Sequence, residues 1–464
     1  MKKVMCLILA AVMMAAMLAG CGQNGGNDAS DGGSSDGKRV LTIGGHIRMY
    51  PNEEEYWQKV ADDFMAENED VEVVIKWNGS FEDVVESLQA AKMNNETIDI
   101  YSCGARYIRN TLVQAGMCVD LTELIEPYAD RWIDGALESA TLGGKIWALP
   151  MGSTGTVTFY YNMAMFDELG LEIPQTFDEL VEVCRVIKEE KGITPTLQQG
   201  SLAGYWPMWF METYAQSSGH QSVENVEAFL SGDYDFTGEA EIQAFEMIKQ
   251  FFDEGLIDTD SLNTDADGMR AAFAQGKSAM FFGGTWEYTN VMDVIGDSFE
   301  VGVFEFPEMI EGVTPQHGSG CGQSIFVPTL CNPENYDLIM RFIEFFTRPE
   351  NCGPIVLAAS ELLPSINGIE TSGDEFITYI NSHHANSLVT YLDWVWPNEI
   401  NDVVASNIPA VGAGYTTAED AVQEIQSTYD RLVEEGYVYA WWDEWTEEDW
   451  AKVEPAFIPD TYGQ

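Results

Sequence analysis

The chain is 464 residues long, and its 22 Lys+Arg set against 76 Asp+Glu give a formal charge of −54 at pH 7. So acidic a surface repels phosphate backbones, which excludes nucleic acid as a partner, disfavours anionic ligands, and leaves neutral or cationic ones. With 45% hydrophobic and 12% aromatic residues, disorder is excluded for most of the chain, and the length suits two or three domains at ~150 residues each.

Lys2 and Lys3 precede an apolar run from Val4 to Ala19, whose 16 residues fall short of the ~20 that span a bilayer. A basic start and a short apolar run read as an export signal. Its end, Leu18-Ala19-Gly20-Cys21, resembles a bacterial lipobox. That resemblance implies cleavage before Cys21, lipidation of its thiol and a place on the outer face of the cell membrane; an ordinary signal with a chance cysteine is the plainer alternative. From Gly22 to Gly37, six Gly, three Ser and three Asp build no core. The segment reads as a flexible tether of ~22 Å r.m.s. reach. Gly32, Gly37 and Lys38 have the spacing of a phosphate-binding loop, but Arg39 stands where Ser or Thr must hold magnesium.

Val40–Ile43 reads as a strand broken by Gly44-Gly45, and Glu53–Glu67 as a helix with Tyr56, Val60, Phe64 and Met65 on one face. Val71–Trp77 is a second strand, Phe81–Met93 a helix, Thr97–Tyr101 a short strand and Arg106–Gln114 a helix. This alternation predicts a parallel sheet with crossover helices, with ligands at the loops after the strands. Those loops carry His46, Gly79-Ser80 and Cys103-Gly104-Ala105-Arg106. Thr156–Tyr161 is an alternating strand, and Thr176 with Glu179 forms a capping box for a helix over Phe177–Glu190. Setting aside Cys6 and Cys21, six cysteines are spread over the body without Cys-x-x-Cys or metal-ligand spacing, and they read as buried free thiols.

Four segments in order resemble the extracellular solute-binding proteins of carbohydrate ABC transporters, the maltose-binding-protein-like group. They are Ile98-Asp99-Ile100-Tyr101, where the family's Pro is replaced by Ile98; Leu142-Gly143-Gly144-Lys145-Ile146-Trp147-Ala148-Leu149-Pro150; Tyr160-Tyr161-Asn162 through Phe166-Asp167-Glu168-Leu169-Gly170 to Pro174–Leu180; and Ala272–Met280 followed by Gly283-Gly284-Thr285-Trp286. The resemblance implies an α/β, two-lobed periplasmic-binding-protein-like fold (type II) with a ligand cleft between lobes joined by hinge strands. It places the signal peptide at 1–20, Cys21 and the tether at 21–38, lobe 1 at 39–151 plus 321–360, and lobe 2 at 152–320 plus 361–464. It also implies a carbohydrate ligand, read as an oligosaccharide from the aromatic content, delivery to the transmembrane permease subunits of an ABC transporter, a monomer, and no cofactor or metal.

A neutral sugar needs flat aromatic faces and a few planar polar partners. By resemblance, Trp286 is the stacking platform, with core packing as its alternative. Tyr205, Trp206 and Trp209 cluster after Gly204; Trp206, beside Pro207, is the expected cleft residue of that group, with Tyr205 a second candidate. Trp394 and Trp396 alternate in an extended stretch, so one of them faces the cleft. Arg106 is suited to bidentate bonds with vicinal hydroxyls, and His46 lies in a loop after a strand. Glu287 is an acceptor beside the platform, and Ser153 with Thr154 marks the first crossing, where the family often has a carboxylate.

Asn263, Asp265 and Asp267 imitate the start of a calcium loop, but position twelve is Ala274, so Asp265 reads as a helix N-cap. The Trp-rich stretch 441–450 lies past the usual family end and reads as packing on a lobe. Two other classes share an aromatic, acidic cleft: an exported glycoside hydrolase, distinguished by turnover, and a sugar-sensing co-receptor.

Overall fold

The computed structural model describes residues 37–46, 52–78, 84–104, 108–113, 115–133, 136–153, 156–221, 225, 228–229, 232–257, 259–319, 322–358, 363–371, 388–390 and 396–436. The lipobox, the tether up to residue 36, Arg106, Thr154, Trp394 and the Trp-rich stretch lie outside them, and of His46 and Ser153 only the backbone is described.

The first sheet begins with β1 (Arg39–His46), β2 (Val71–Asn78) and β3 (Ile100–Gly104), separated by α1 (Glu53–Glu67) and α2 (Val84–Asn94). All three strands are parallel, with β1 between the others. β1 runs straight through Gly44-Gly45 instead of stopping there. Gly44 is demanded by packing: a Cβ on it would lie 2.7 Å from Cδ2 of Tyr101 on the neighbouring strand. The expected helix over 106–114 is a single wide turn at Ile108–Leu112, with Val113 N–H donating to Ile108 O at 2.9 Å. The sheet is completed by β4 (Leu149–Pro150) and by a strand that returns late in the chain.

Next comes β5 (Gly152–Ser153), and then the second sheet: β6 (Val157–Asn162), β7 (Thr194–Leu197), β8 (Ser278–Gly284) and β9 (Val301–Phe304), in the order β9-β6-β8-β7. Its helices are α3 (Phe177–Lys191), α4 (Trp206–Ser217), α5 (Glu239–Asp253), α6 (Ala266–Ala274) and α7 (Glu287–Ile295). The capping box at α3 is present: Glu179 N–H donates to Thr176 Oγ1 at 3.3 Å and Thr176 N–H to Glu179 Oε2 at 3.2 Å. Asp265 caps α6 by accepting from Gly268 N–H at 2.7 Å. A dense aromatic core fills the sheet–helix interface, with Phe159 stacked on Phe304 at 5.1 Å and Trp209 against Phe282 at 4.4 Å.

β10 (His317–Ser319) leads to β11 (Gln323–Phe326), which re-enters the first sheet antiparallel to both β3 and β4. The first sheet is therefore mixed, not purely parallel, because a returning strand needs no crossover helix. Behind it, α8 (Tyr336–Phe346) and α9 (Pro349–Ala358) pack on α1, where Trp57 stacks on Phe346 at 4.9 Å. The chain then passes β12 (Leu363–Pro364) and β13 (Leu388–Thr390) to α10 (Asn398–Gly412) and α11 (Ala418–Glu434), which join the aromatic core of the second sheet. Three passages between the sheets lie side by side. Met151 N–H donates to Gln323 O, Gly322 N–H to Gly152 O and Ser365 N–H to Met151 O, at 3.0, 3.1 and 3.0 Å, while β5 pairs with β12.

Among the described cysteines, Cys103, Cys118, Cys184 and Cys352 are free and buried, and Cys331 is buried. Burial pushes the thiols of Cys184 and Cys352 up to about 12, so they stay protonated and unreactive.

Candidate functional site

One edge of the second sheet gathers the carboxyl ends of β7 and β8 and the amino end of β6, next to the passages between sheets. β8 ends there in Gly283-Gly284, and α7 starts two residues later with Trp286 as its N-cap. A Cβ on Gly284 would be equally close to Cε2, Cζ2 and Cη2 of Trp286. Equal distances to three consecutive ring atoms place that point over the centre of the six-membered ring. The indole thus lies with one face on the Cα of Gly284 and is half-buried. Gly284 is not in the left-handed region, so it is glycine for this close approach and not for its backbone angle.

Gly284 is itself fastened by two tyrosines. Tyr160 OH donates to its carbonyl at 2.9 Å, and its N–H donates to Tyr205 OH at 3.4 Å. Burial pushes both phenols well above their ordinary range, helped by the nearby Glu287 charge, so they remain neutral. Glu287 is buried beside the platform, and its Oε2 accepts from Arg270 Nε at 2.7 Å. Burial raises the Glu287 carboxyl, with Arg270 opposing.

At the same edge, Thr156 Oγ1, Thr285 Oγ1 and both amide atoms of Gln198 are buried without a hydrogen-bond partner among the described residues. Such groups cost about 1–3 kcal/mol each unless water or a ligand meets them. Sequence reading missed these three, because isolated Thr and Gln residues carry no motif; Gln198 directly after a strand end was the available signal. Across the passages, Gln323 Nε2 donates to Glu53 Oε1 at 3.0 Å and to Ser102 Oγ at 3.2 Å, a buried polar group at the carboxyl end of the first sheet.

The predicted site residues separate. Trp286, Tyr205 and Glu287 come together at one edge. Trp206 and Trp396 are built into the aromatic core instead of standing at a surface. Trp206 stacks on Phe252 and donates its indole N–H to Gly200 O at 3.1 Å, while Trp396 packs among Phe210, Phe229 and Phe236. His46 ends β1 opposite Asn78, and Ser153 pairs with Leu363 in the first passage.

Behind this edge, α4 and β10 are tied by a buried ion pair, His317 Nδ1 to Glu212 Oε2 at 2.7 Å, with Glu305 Oε1 3.7 Å from Nε2. Burial works against the His317 charge, but Glu212 and Glu305 outweigh it and push the imidazole up to about 9. Burial holds the Glu212 carboxyl above the usual carboxylate range, with His317 opposing.

The chain is similar to the melibiose/raffinose/stachyose-binding protein MelE of Bacillus subtilis, 24% identical over 94% of this chain and 98% of that one. It is also similar to the maltotriose-binding protein of Pyrococcus abyssi, 24% identical over 64% of this chain and 61% of that protein, less than two thirds of its length. A solved chitin oligosaccharide binding protein superposes with a TM-score of 0.73, at 22% identity, over 85% of this chain and 98% of that one. The two sheets and their three adjacent passages are thus the α/β, two-lobed type II architecture. Residues 50–351, well over half of the sequence, match the model of the bacterial extracellular solute-binding proteins, and the chain belongs to that family.

Proposed function

We propose that the chain is the substrate-binding subunit of a carbohydrate ABC transporter. It captures a neutral oligosaccharide between two lobes and delivers it, chemically unchanged, to the permease subunits. Lobe 1 is 39–151 plus 321–360 and lobe 2 is 152–320 plus 361–464, with the three side-by-side passages as the hinge. The protein works as a monomer on the outer face of the membrane, held by lipid on Cys21 and the tether behind it. His46, Arg106, Ser153 and Trp394 complete the ligand contacts around Trp286 and Tyr205.

The observation that carries this reading is the Trp286 indole seated on Gly284, next to buried polar groups that lack partners. An aromatic face with neighbouring hydroxyl-seeking groups suits the C–H patches and hydroxyls of a sugar. The strongly acidic surface fits a neutral ligand. Relatives named for maltotriose and for melibiose, raffinose and stachyose point the same way.

The test is a thermal-shift panel of maltotriose, raffinose, stachyose and chitin oligosaccharides on the mature protein, with chromatography of each mixture. A ligand that binds only the folded state raises the melting temperature. At least one sugar should do so and be recovered intact. No shift across the panel contradicts the sugar reading, and cleaved product contradicts transport. Lipid anchoring is tested separately: Cys21→Ser should move the protein from the membrane fraction to the soluble fraction.

A further inference from the structure

Trp286 opens α7 as an N-cap without a side-chain cap of its own. Its position therefore depends on how the first turn of α7 is pinned to the rest of the lobe. Glu287, the next residue, sits in that turn with its side chain 3% exposed, and its Cγ is 3.4 Å from where a Gly283 Cβ would lie. The carboxylate is reached from α6 by Arg270 Nε at 2.7 Å, while Arg270 Nη1 turns outward to the exposed Asp267 at 3.1 Å. We infer that Arg270 is a positioning residue for ligand binding: through Glu287 it holds the Trp286 platform down on Gly284.

The physical reason is the expense of an uncompensated buried carboxylate. Breaking a buried pair from one side strands the remaining charge, which must either take up a proton or move to water. Glu287 moves to water only if the first turn of α7 lifts, and Trp286 lifts with it. The charged and titratable groups facing Glu287 are Arg270 and Asp267 from α6, Tyr160 from β6 and Tyr205 from the turn before α4. Asp267 repels the carboxylate and the tyrosines stay neutral, so Arg270 supplies the compensating charge. This inference rests on the sugar-binding reading for its affinity arm but not for its structural arm.

The experiment compares wild type, Arg270→Gln and the double variant Arg270→Gln/Glu287→Gln, which removes both charges. In the sugar-free proteins, hydrogen exchange over 285–292 is measured by mass spectrometry. Arg270→Gln should speed exchange there at pH 7.5 and less so as the pH is lowered and the buried carboxyl takes up a proton, and the double variant should return toward wild type. In parallel, affinity is titrated with whichever of maltotriose, raffinose and stachyose wild type binds. Arg270→Gln should weaken it by about tenfold, with the double variant recovering to within about threefold. Unchanged exchange in Arg270→Gln overturns the inference whether or not a sugar binds, and so does equal damage in the single and double variants. A wild type that binds none of the sugars while the exchange pattern appears as expected contradicts the sugar reading and leaves the positioning role standing.

Discussion

Trp286 rests face-down on the Cα of Gly284, two residues before it in the chain. A tryptophan in that arrangement has one face committed to backbone, and this half-buried ring also packs against the aromatic core of the second sheet. Substituting Gly284→Ala puts a methyl group into the ring and forces the indole off its seat. Overpacking of this kind costs about 1–3 kcal/mol of stability. Urea denaturation should show that loss, and calorimetric titration with the bound sugar should show affinity weakened by about tenfold or more. Gly284→Ala with wild-type affinity would mean that the seat does not matter to binding.

The seat was half legible in the sequence. Gly283-Gly284-Thr285-Trp286 after an apolar strand marks close backbone approach next to an aromatic residue, and the structure supplies the ring-over-Cα geometry. Local signals generally held: the Thr176–Glu179 box and the Asp265 cap are short-range chemistry, set within four residues. What was not legible depends on distance along the chain. Arg270 and Glu287 are 17 residues apart in a protein with 76 acids, so no pattern singles out their pairing. Gly44-Gly45 read as a break, yet Gly44 is there because Tyr101, far along the chain, needs its space. Trp206 read as a cleft residue because an aromatic beside proline looks the same whether it meets a ligand or a core, and it stacks on Phe252. Of Trp394 and Trp396, read as alternating so that one faces the cleft, Trp396 packs among Phe210, Phe229 and Phe236.

Asp99, the acid of the Ile98-Asp99-Ile100 segment, is a fastening point. It accepts from Thr42 N–H and Asn332 N–H, both at 2.9 Å, and from Asn335 Nδ2 at 3.1 Å, tying β1 to the turn before α8. Asp99→Ala strands one buried and one part-buried backbone donor and should cost about 2–4 kcal/mol in urea denaturation. Sugar affinity should be unaffected, because Asp99 stands at the amino end of β3, away from the carboxyl ends of the strands where His46 and Gln323 lie. Unchanged stability would show that these donors find other partners.

The His317–Glu212 pair gives stability a dependence on pH. His317 in the folded protein is held at about 9, above its ordinary value of 6.5, so folding favours the protonated imidazole. Its contribution is complete below pH 6.5 and is lost as pH rises through 9. The raised Glu212 carboxyl has the same sign, since it too binds its proton more tightly in the folded state. Stability from urea denaturation should fall by about 3 kcal/mol between pH 6 and pH 10. His317→Gln should be less stable at pH 6 and should lack that slope. Parallel slopes for the two proteins would assign the pH dependence elsewhere.

The central claim, that Trp286 is the platform on which a neutral oligosaccharide binds, is tested most directly by calorimetric titration of wild type, Trp286→Phe and Trp286→Ala. The titrant is the sugar that stabilises wild type most strongly among maltotriose, raffinose and stachyose. Trp286→Phe keeps a smaller aromatic face and should bind within about tenfold of wild type, whereas Trp286→Ala should lose measurable binding while its urea midpoint shows the protein still folded. Wild-type affinity in a folded Trp286→Ala protein would contradict the account.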